Sequence, residues 1–263
     1  MSFGDIRYEV NEGVAIITID RPKVMNAFRV QTVDELIDAF QQAWADHSVG
    51  AVILTGAGEK AFCTGGDQST REEGGYKGKA VRSDLGLEIE DLHSIIRDIP
   101  KPVIAAVNGY AIGGGHVLHV ICDLTIAAES AQFGQVGPKV GSVDPGFGTQ
   151  YLTRVVGEKR AREIWYLCHR YTAQEAFQMG LVNKIVPAAD LMKEAIAWGR
   201  ELCERSPTAI KLAKASFNAD TEHQRGVGAI ALRALALYYG TDEALEGKQA
   251  FLEKRKPNFA KYR

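Results

Sequence analysis

The sequence predicts an α/β fold, because short apolar strands alternate with helical segments up to about residue 145 and helices dominate beyond it. Its 263 residues, 46% of them hydrophobic, are enough to build a large core. Apolar alternation on both sides of a turn at residues 11–13 predicts two strands over residues 6–19, and Thr32 with Glu35 predicts the capping box of the next helix. Further buried strands are predicted at 51–54, 103–107 and 124–127.

Beyond residue 145 the pattern favours helices and no further strands. Thr172 and Glu175 predict a second capping box, for a helix that ends at Gly180. Ser206 predicts a helix cap, with Pro207 following at the first helical position. The other helical segments of the chain are predicted at 87–96, 160–168, 190–205, 207–217, 232–239 and 242–254.

The chain shows no internal repeat and no linker-like stretch, so only the change from mixed strands and helices to helices alone divides it into regions. Residues 1–200 are predicted to form an α/β core, and residues 201–263 a helical C-terminal region. Within the core, residues 69–85 are polar, glycine-bearing and aperiodic, which predicts a mobile loop.

The charge balance and the cysteines exclude several classes of protein. Lysine and arginine number 31 against 33 aspartates and glutamates, so the net charge of −2 offers no basic excess for nucleic acid. The apolar runs are far shorter than the ~20 residues that a membrane helix needs. The cysteines are widely spaced, and the first residues lack the pattern of a signal peptide. We therefore expect a reduced, cytoplasmic protein that binds neither nucleic acid nor membrane.

A run of three glycines at residues 113–115 follows a strand and opens a helix, as nucleotide-binding turns do. The dinucleotide fingerprint G-x-G-x-x-G fails because Leu118 stands at its last position, and the chain contains no G-K-S/T or G-x-S-x-G motif. His116, His119 and Cys122 are three residues apart without the H-E-x-x-H pattern of zinc proteases. We expect no metal site and interpret these three side chains as packed residues of a helix.

Two segments, residues 61–68 and residues 109–116, share one design: an apolar strand, then glycine-rich backbone, then the start of a helix. Glycines let a ligand approach main-chain N–H groups closely, and the N-terminus of a helix adds positive potential there. Two such N–H groups facing one another would hold a developing oxyanion. Taken singly, either segment is also consistent with an ordinary tight turn.

Other motifs, spread over the chain, accompany these turns. They are Ile19-Asp20-Arg21-Pro22 with Asn26-Ala27, Phe62-Cys63-Thr64-Gly65-Gly66-Asp67, Lys101-Pro102-Val103-Ile104-Ala105, Cys122-Asp123-Leu124, Phe133-Gly134-Gln135, and Ala176 with Gly180-Leu181-Val182. With them the sequence resembles the crotonase (enoyl-CoA hydratase/isomerase) superfamily. The resemblance implies a crotonase-like ββα spiral with a helical C-terminal trimerisation region, and an acyl-CoA substrate with no required cofactor. Gly66 and Gly114 match the positions whose N–H groups hold the thioester oxygen while an enolate forms.

Two positions limit which reaction of this superfamily is expected. Crotonases that hydrate enoyl-CoA carry glutamates where this sequence has Val117 and Gly137, so plain hydration is not expected. The single-carboxylate isomerases use other base positions and stay open. The sequence is more similar to the branch of the 2-ketocyclohexanecarboxyl-CoA hydrolases and the 1,4-dihydroxy-2-naphthoyl-CoA synthases. The hydrolases open a ring by adding water to a ketone, giving pimeloyl-CoA, and the synthases close a ring by Dieckmann condensation of o-succinylbenzoyl-CoA.

Three details favour the hydrolase. The turn at residues 141–146 resembles the hydrolase turn, whereas synthases usually have Ser-Phe-Asp there. Val136 replaces the threonine expected in synthases, and Met25 replaces an arginine that some synthases use near the CoA. Bicarbonate is expected only under the synthase alternative. A catalytically silent acyl-CoA-binding paralogue is a third alternative, which Asp144 and Tyr76 speak against.

The resemblance also implies roles for individual side chains. Asp144 matches a catalytic base, and its alternative is a turn-capping aspartate. Tyr76 and Tyr239 match tyrosines that hydrogen-bond the substrate, although the neighbouring Tyr238 could face the pocket instead. Lys254 would reach the CoA of another subunit in a trimer or hexamer (a dimer of trimers). The full set of implied substrate- and CoA-binding residues is Thr64, Gly65, Asp67, Gln68, Tyr110, Gln135, Gly137, Ser142, Trp165 and Lys254.

Overall fold

The structure is a computed structural model that describes residues 3–72, 75–76, 83–144 and 146–263. Its strands are β1 (Ile6–Asn11), β2 (Val14–Ile19), β3 (Ala51–Gly56), β4 (Ala61–Cys63), β5 (Arg71–Glu72), β6 (Gly75–Tyr76), β7 (Val103–Val107), β8 (Tyr110–Ile112), β9 (Leu124–Ala128), β10 (Gln132–Gly134), β11 (Arg170–Thr172) and β12 (Lys184–Val186). Its α-helices are α1 (Val30–Ala45), α2 (Ile89–Asp98), α3 (Gly114–Ile121), α4 (Gly148–Val156), α5 (Glu158–Leu167), α6 (Ala173–Gln178), α7 (Leu191–Cys203), α8 (Pro207–Ala219), α9 (Arg225–Tyr239) and α10 (Asp242–Leu252). The predicted α/β class is confirmed.

Two main sheets and a small hairpin carry the described strands. The larger sheet has the order β1-β2-β3-β7-β9-β12 and is parallel except for its β1–β2 hairpin. The second sheet has the order β11-β10-β8-β4, and β5 pairs with β6. The chain visits the two main sheets in turn, through β3 and β4, then β7 and β8, then β9 and β10. This alternation, with helices between the turns, is the expected ββα spiral.

The inner strands β2, β3, β7 and β9 of the larger sheet are buried on both faces, as parallel strands are when helices or another sheet cover them. Alternate residues of β2 belong to separate cores: Ile17 packs in the main core and Ile16 in a second one. Helix α7 closes the second core through Leu191 and Ala195. The main core lies between the two sheets and the remaining helices, and it includes the buried ring of Phe133 from β10.

The predicted start of the first helix is wrong by three residues, because the N-cap is Arg29 and not Thr32. Helix α1 begins at Val30, and Thr32 Oγ1 accepts a hydrogen bond from Arg29 N at 3.1 Å, so Thr32 lies inside the first turn. Glu35 accepts instead from the main-chain N–H groups of Gly4 and Asp5, at 2.8 and 2.7 Å. Both side chains of the predicted pair do accept main-chain hydrogen bonds, but the Glu35 carboxylate binds the N-terminal segment at Gly4 and Asp5 and does not cap helix α1.

The expectation that strands stop after residue 145 is also wrong. Strands β11 and β12 each have three residues, too few to show an alternation in the sequence. Two predicted helix caps are confirmed. Thr172 and Glu175 exchange both hydrogen bonds of a capping box, and Ser206 Oγ accepts from Ala209 N. The predicted boundary at residue 200 falls inside α7.

The loop predicted at 69–85 lies partly outside the described residues, which omit 73, 74 and 77–82. Within the described part, residues 68–70 form a 3-10 helix and the short strands β5 and β6 pair in antiparallel fashion, with Tyr76 buried in the core. In the described part of the chain, no helix has the length and apolar character needed to cross a membrane.

Candidate active site

A cavity of about 700 Å³ lies where the two glycine segments, helices α2 and α9, and the chain after β10 meet. This volume is in the range of sites for small molecules and cofactors. Most of the residues predicted to form the site line it: Thr64, Gly65, Gly66, Asp67, Gln68, Tyr76, Tyr110, Gly114, Gln135, Gly137, Ser142, Trp165 and Tyr239. Asp144 and Lys254 do not line it.

The two glycine turns touch one another at one side of the cavity. Gly65 has φ +84°, and a Cβ at that position would lie 2.8 Å from Gly114 N. Phe28 anchors the first turn, because its N–H donates to Gly65 O at 2.8 Å and a Cβ on Gly114 would lie 2.7 Å from its ring. Side chains larger than hydrogen therefore have no room between the turns.

The N–H groups of Gly66 and Gly114 are both free for a ligand. Gly114 is the first residue of α3, where an N–H has no partner within the helix, and the hydrogen bonds among the described residues use neither group. The adjacent N–H groups are occupied: Asp67 N donates to Phe28 O, and Gly113 N donates to Gly134 O. The arrangement offers two main-chain donors and a helix N-terminus to one oxygen atom.

Tyr76 and Tyr239 meet above the first turn. A Cβ on Gly66 would lie 2.0 Å from the Tyr76 hydroxyl oxygen, so this hydroxyl lies directly against the glycine. The rings of the two tyrosines are 6.4 Å apart, edge to face. Burial raises the pKa of Tyr76, and the neighbouring Tyr239 adds to this, so the Tyr76 hydroxyl stays protonated and can donate a hydrogen bond.

Tyr239 lines the cavity, and Tyr238 is not among the lining residues. The Tyr239 hydroxyl and Ser142 Oγ are 2.8 Å apart, and the Arg71 guanidinium lies 4.2 Å from the centre of the Tyr239 ring. Arg71 is itself buried and donates to the carbonyl oxygens of Val140, Gly141 and Ala244. One buried cation thus holds the loop before Ser142 and the ring of Tyr239 in a single arrangement.

Asp144 caps helix α4. Its carboxylate accepts from Gly148 N at 3.0 Å and from both Thr149 N and Thr149 Oγ1 at 2.6 Å. A Cβ on Gly148 would lie 2.9 Å from Asp144 Oδ1, 2.8 Å from Val117 Cγ2 and 2.9 Å from Trp165 Cζ2. The carboxylate therefore lies beside two residues of the cavity wall. Desolvation raises the pKa of Asp144, and the hydrogen bonds from Thr149 and Gly148 oppose that rise.

Asp67, the one carboxylate among the described residues that line the cavity, is already paired. Asp67 forms an ion pair with Arg21 at 3.1 Å and accepts hydrogen bonds from Ser69 N and Ser69 Oγ. Val117 and Gly137, which also line the cavity, have no acidic group. Asp144 is therefore the better placed of the two described carboxylates for a proton transfer.

Trp165 offers a hydrogen-bond donor to the cavity, whereas Gln135 offers an acceptor. Trp165 Nε1 is buried and has no partner in the structure, so it is a free donor in the cavity wall. Gln135 Nε2 lies 3.3 Å from Gly113 O and 3.2 Å from His116 Nδ1. Because a carbonyl oxygen only accepts, the amide nitrogen of Gln135 must face Gly113, and His116 Nδ1 then accepts its second hydrogen. Gln135 Oε1 remains as an acceptor.

The comparisons with known proteins agree with this geometry. A family model described as "Enoyl-CoA hydratase/isomerase" matches residues 9–262. The chain belongs to this family, the crotonases. A structure titled enoyl-CoA hydratase from Mycobacterium avium subsp. paratuberculosis K-10 is 28% identical, with a TM-score of 0.87 over 98% of this chain and 99% of that one. A carnitinyl-CoA hydratase from Mycobacterium avium is 31% identical, with a TM-score of 0.85 over 97% of each chain.

A structure titled enoyl-CoA hydratase from Bacillus anthracis is 36% identical to this crotonase, covering 97% of this chain and 98% of that one, with a TM-score of 0.76. These likenesses extend over nearly the full length of each chain. This crotonase is accordingly an acyl-CoA-processing enzyme, and its particular reaction depends on the side chains around the two glycine turns.

The histidines predicted to be packing residues are buried in this crotonase. The rings of His116 and His119 meet edge to face with their centres 4.8 Å apart, and His119 Nδ1 lies 3.4 Å from Thr125 Oγ1. Burial lowers the pKa of His116 to about 3 and holds that of His119 well below its usual range. Among the described residues, no group of three or more histidine, cysteine, aspartate or glutamate side chains is arranged to hold a metal ion.

His93 was not among the predicted site residues, yet it lines the cavity from α2. Its signal was a polar residue four positions after Ile89, on a helix face that is otherwise apolar. Lys254 lies beyond the end of α10 and is exposed, while its neighbours Phe251 and Leu252 line the cavity. The predicted contact of Lys254 with another subunit's CoA stays a prediction.

Proposed function

We propose that this crotonase hydrolyses the ring carbon–carbon bond of 2-ketocyclohexanecarboxyl-CoA to give pimeloyl-CoA. The observation that carries the proposal is the position of Asp144 beside Val117 and Trp165. At the two positions where enoyl-CoA-hydrating crotonases have glutamates, Val117 and Gly137 supply no acid or base. The Asp144 carboxylate lies instead next to two residues of the cavity wall, a position that suits attack on a different atom of the acyl group.

The reaction begins when Asp144 accepts a proton from a water molecule and the water oxygen attacks the ring ketone carbon. The Tyr239 hydroxyl, held by Ser142, donates a hydrogen bond to the ketone oxygen as it becomes negative. The bond between that carbon and the α-carbon of the thioester then breaks, and its electron pair forms the thioester enolate. The N–H groups of Gly66 and Gly114 hold the enolate oxygen. Asp144 then returns its proton to the α-carbon, which completes pimeloyl-CoA and restores the base, and the former ketone carbon becomes a carboxyl group that ionises at neutral pH.

Reaction in ¹⁸O-water tests this sequence directly. Incubation with 2-ketocyclohexanecarboxyl-CoA is expected to give pimeloyl-CoA with the label in the new distal carboxylate and none in the thioester oxygen. Crotonyl-CoA serves as the control, because several structural relatives are titled hydratases. Efficient hydration of crotonyl-CoA with no ring opening would contradict the proposal.

The second candidate is 1,4-dihydroxy-2-naphthoyl-CoA synthase activity, which the free donor Trp165 Nε1 favours. Gln135, Gly137 and Trp165 line the cavity together and are the residues implied to hold bicarbonate under that alternative. Two features of the same wall argue against it: Val136 lacks the expected hydroxyl, and the Gln135 amide nitrogen faces Gly113 O rather than an anion. Bicarbonate-dependent cyclisation of o-succinylbenzoyl-CoA, with no ring opening, would establish the synthase.

We also propose that the chain assembles as a trimer or a dimer of trimers through its C-terminal helices. Large apolar side chains are exposed along α8, α9 and α10, where a single copy leaves them in water: Leu212, Phe217, Ile230, Leu237 and Phe251. Sedimentation velocity is expected to give three or six times the monomer mass of 28.7 kDa. A monomer at micromolar concentration would contradict this assembly.

A further inference from the structure

His93 is a buried polar residue in the cavity wall with nothing to bind. Its side chain is almost fully buried, at 1% exposure, and it lines the cavity from helix α2. Neither Nδ1 nor Nε2 has a hydrogen-bond partner among the residues that the structure describes. Buried polar atoms are nearly always paired, with protein, water or ligand, because burial without a partner is unfavourable. The two nitrogens of His93 therefore call for a partner that enters the cavity.

The buried histidines His116 and His119, which pack in the core, provide a comparison for His93. His116 Nδ1 lies 3.2 Å from the Gln135 amide nitrogen, and His119 Nδ1 lies 3.4 Å from Thr125 Oγ1. Each has one ring nitrogen engaged, and neither lines the cavity. His93 differs in both respects, which separates it from a histidine that only completes the core.

The surroundings of His93 decide which ligand group it suits. Its ring packs against Phe147 at 5.1 Å, and Leu87 and Ile89 line the same side of the cavity. This apolar burial lowers the pKa of His93 to about 3, so the imidazole is neutral at physiological pH. A neutral imidazole carries one N–H donor and one acceptor nitrogen, and it contributes no charge.

Among the described residues, this wall has no cation that could replace the lost hydration of a carboxylate. Arg170 is the one cationic side chain among the described residues that line the cavity, and it lies over the Tyr110 ring on β8 at 5.2 Å. The chemistry of the α2 wall therefore suits a neutral oxygen, such as a ketone, better than an anionic one.

We propose that His93 is a specificity-determining residue that donates a hydrogen bond to a neutral oxygen on the acyl ring of the substrate. This inference rests on the proposed function, in which the acyl group carries a ring ketone. It adds a polar contact on the α2 wall, separate from the glycine turns and from Asp144. It also gives a reason why an acyl group with a neutral ring oxygen is preferred over one with a carboxylate at that place.

The test measures binding of two thioesters that lack the ketone needed for ring cleavage. Cyclohexanecarboxyl-CoA has no oxygen on its ring, whereas 2-hydroxycyclohexanecarboxyl-CoA has a neutral one that accepts a hydrogen bond. By isothermal titration calorimetry, the wild-type enzyme is expected to bind the hydroxy compound about 5-fold to 10-fold more tightly, as one neutral hydrogen bond allows. Mass detection of both thioesters after the titration confirms that neither was consumed.

Variants at His93 show whether that preference comes from the imidazole. His93→Leu is expected to abolish the preference, with His93→Met as a second apolar replacement should the leucine variant fail to fold. His93→Gln keeps a donor and is expected to retain at least part of it. Ile89→Val is the matched control, because it alters the same wall without removing a polar group and should leave the ratio of affinities unchanged.

Two results would overturn the inference: no preference in the wild-type enzyme, or an unchanged preference in both apolar variants. Because the readout is binding of unreactive ligands, it does not depend on the proposed function. A wild-type enzyme that shows the His93-dependent preference but opens no ring would refute the hydrolase and leave the His93 contact standing. An enzyme that opens the ring but shows no such preference would refute the His93 contact and leave the hydrolase standing.

Discussion

The cavity has two walls of different construction. The wall of the glycine turns is main chain, contributed by residues 65–66 and 113–114, and is packed so closely that a Cβ on Gly65 or Gly114 would collide with its neighbours. The other wall consists of side chains that include Trp165 and Tyr239, with Asp144 next to it, and these three residues come from separate segments of the chain. Main-chain donors can serve only one task, the stabilisation of a thioester oxygen. Side chains can be replaced without moving the backbone, so this second set decides which reaction follows.

The largest effect is expected from removing the base of the side-chain set. Asp144→Asn cannot accept a proton from water, so the rate of ring opening should fall by about 10²–10⁴. Binding of cyclohexanecarboxyl-CoA should change little, because the glycine turns are untouched. Steady-state kinetics and calorimetry on the assembled variant measure the two quantities.

Thr149→Val is the matched control for this substitution, since it removes one hydrogen bond to Asp144 and keeps the carboxylate. It should reduce the rate far less than Asp144→Asn does. Equal losses in the two variants would mean that Asp144 matters as a helix cap and not as a base.

The pH dependence gives a second view of the same group. Asp144 must be ionised to act as a base, and desolvation raises its pKa above the ordinary value of 3.8. In the wild-type enzyme, kcat/KM for ring opening should therefore rise with pH, with the midpoint of its acidic limb above pH 3.8. The limb should be absent from the residual activity of Asp144→Asn, and its persistence there would assign it to another group.

The next effect concerns the main-chain wall. In Gly65→Ala the residue is strained at φ +84° and its Cβ would press on Gly114 N, which displaces one of the two donors. Loss of one such donor should lower turnover by about 10²–10³. Gly226→Ala is the control, because a Cβ there meets nothing within 4 Å.

A thioether analogue of cyclohexanecarboxyl-CoA, in which a methylene group replaces the thioester carbonyl, reports on the same wall without any risk to folding. The wild-type enzyme should bind it about 10-fold to 100-fold more weakly than the thioester, for the loss of two hydrogen bonds. Equal affinity for the two compounds would show that the turns hold no oxygen.

The smallest of these effects is expected at Tyr239. Tyr239→Phe keeps the ring under Arg71 and removes only the hydroxyl that pairs with Ser142, so ring opening should slow about 10-fold. Ser142→Ala should act in the same direction, and the double variant should lose less than the product of the two single effects, because both residues share one hydrogen bond. Fully additive losses would place the two hydroxyls in separate roles.

Much of the fold and of the main-chain wall could be predicted because their signals are local. The alternation in β1 and β2 and the capping box at Thr172 and Glu175 appeared where expected. The three-residue strands β11 and β12 could not be predicted, since their pairing partners, rather than their own residues, make them strands. The start of α1 was misplaced because Glu35 binds a main-chain segment 30 residues away in sequence.

By itself, the sequence determined the two glycine turns and the absence of the hydratase carboxylates, because the conformations that glycine allows and the identity of a residue need no tertiary contacts. The tertiary structure decided that Tyr239 lines the cavity, that Asp144 caps α4 while lying beside Val117 and Trp165, and that His93 is buried without a partner. These properties depend on atoms that are distant along the chain and meet only when the helices pack. For a side chain, burial and hydrogen-bond partners belong to the folded neighbourhood, whereas the strain of a backbone turn belongs to its own few residues.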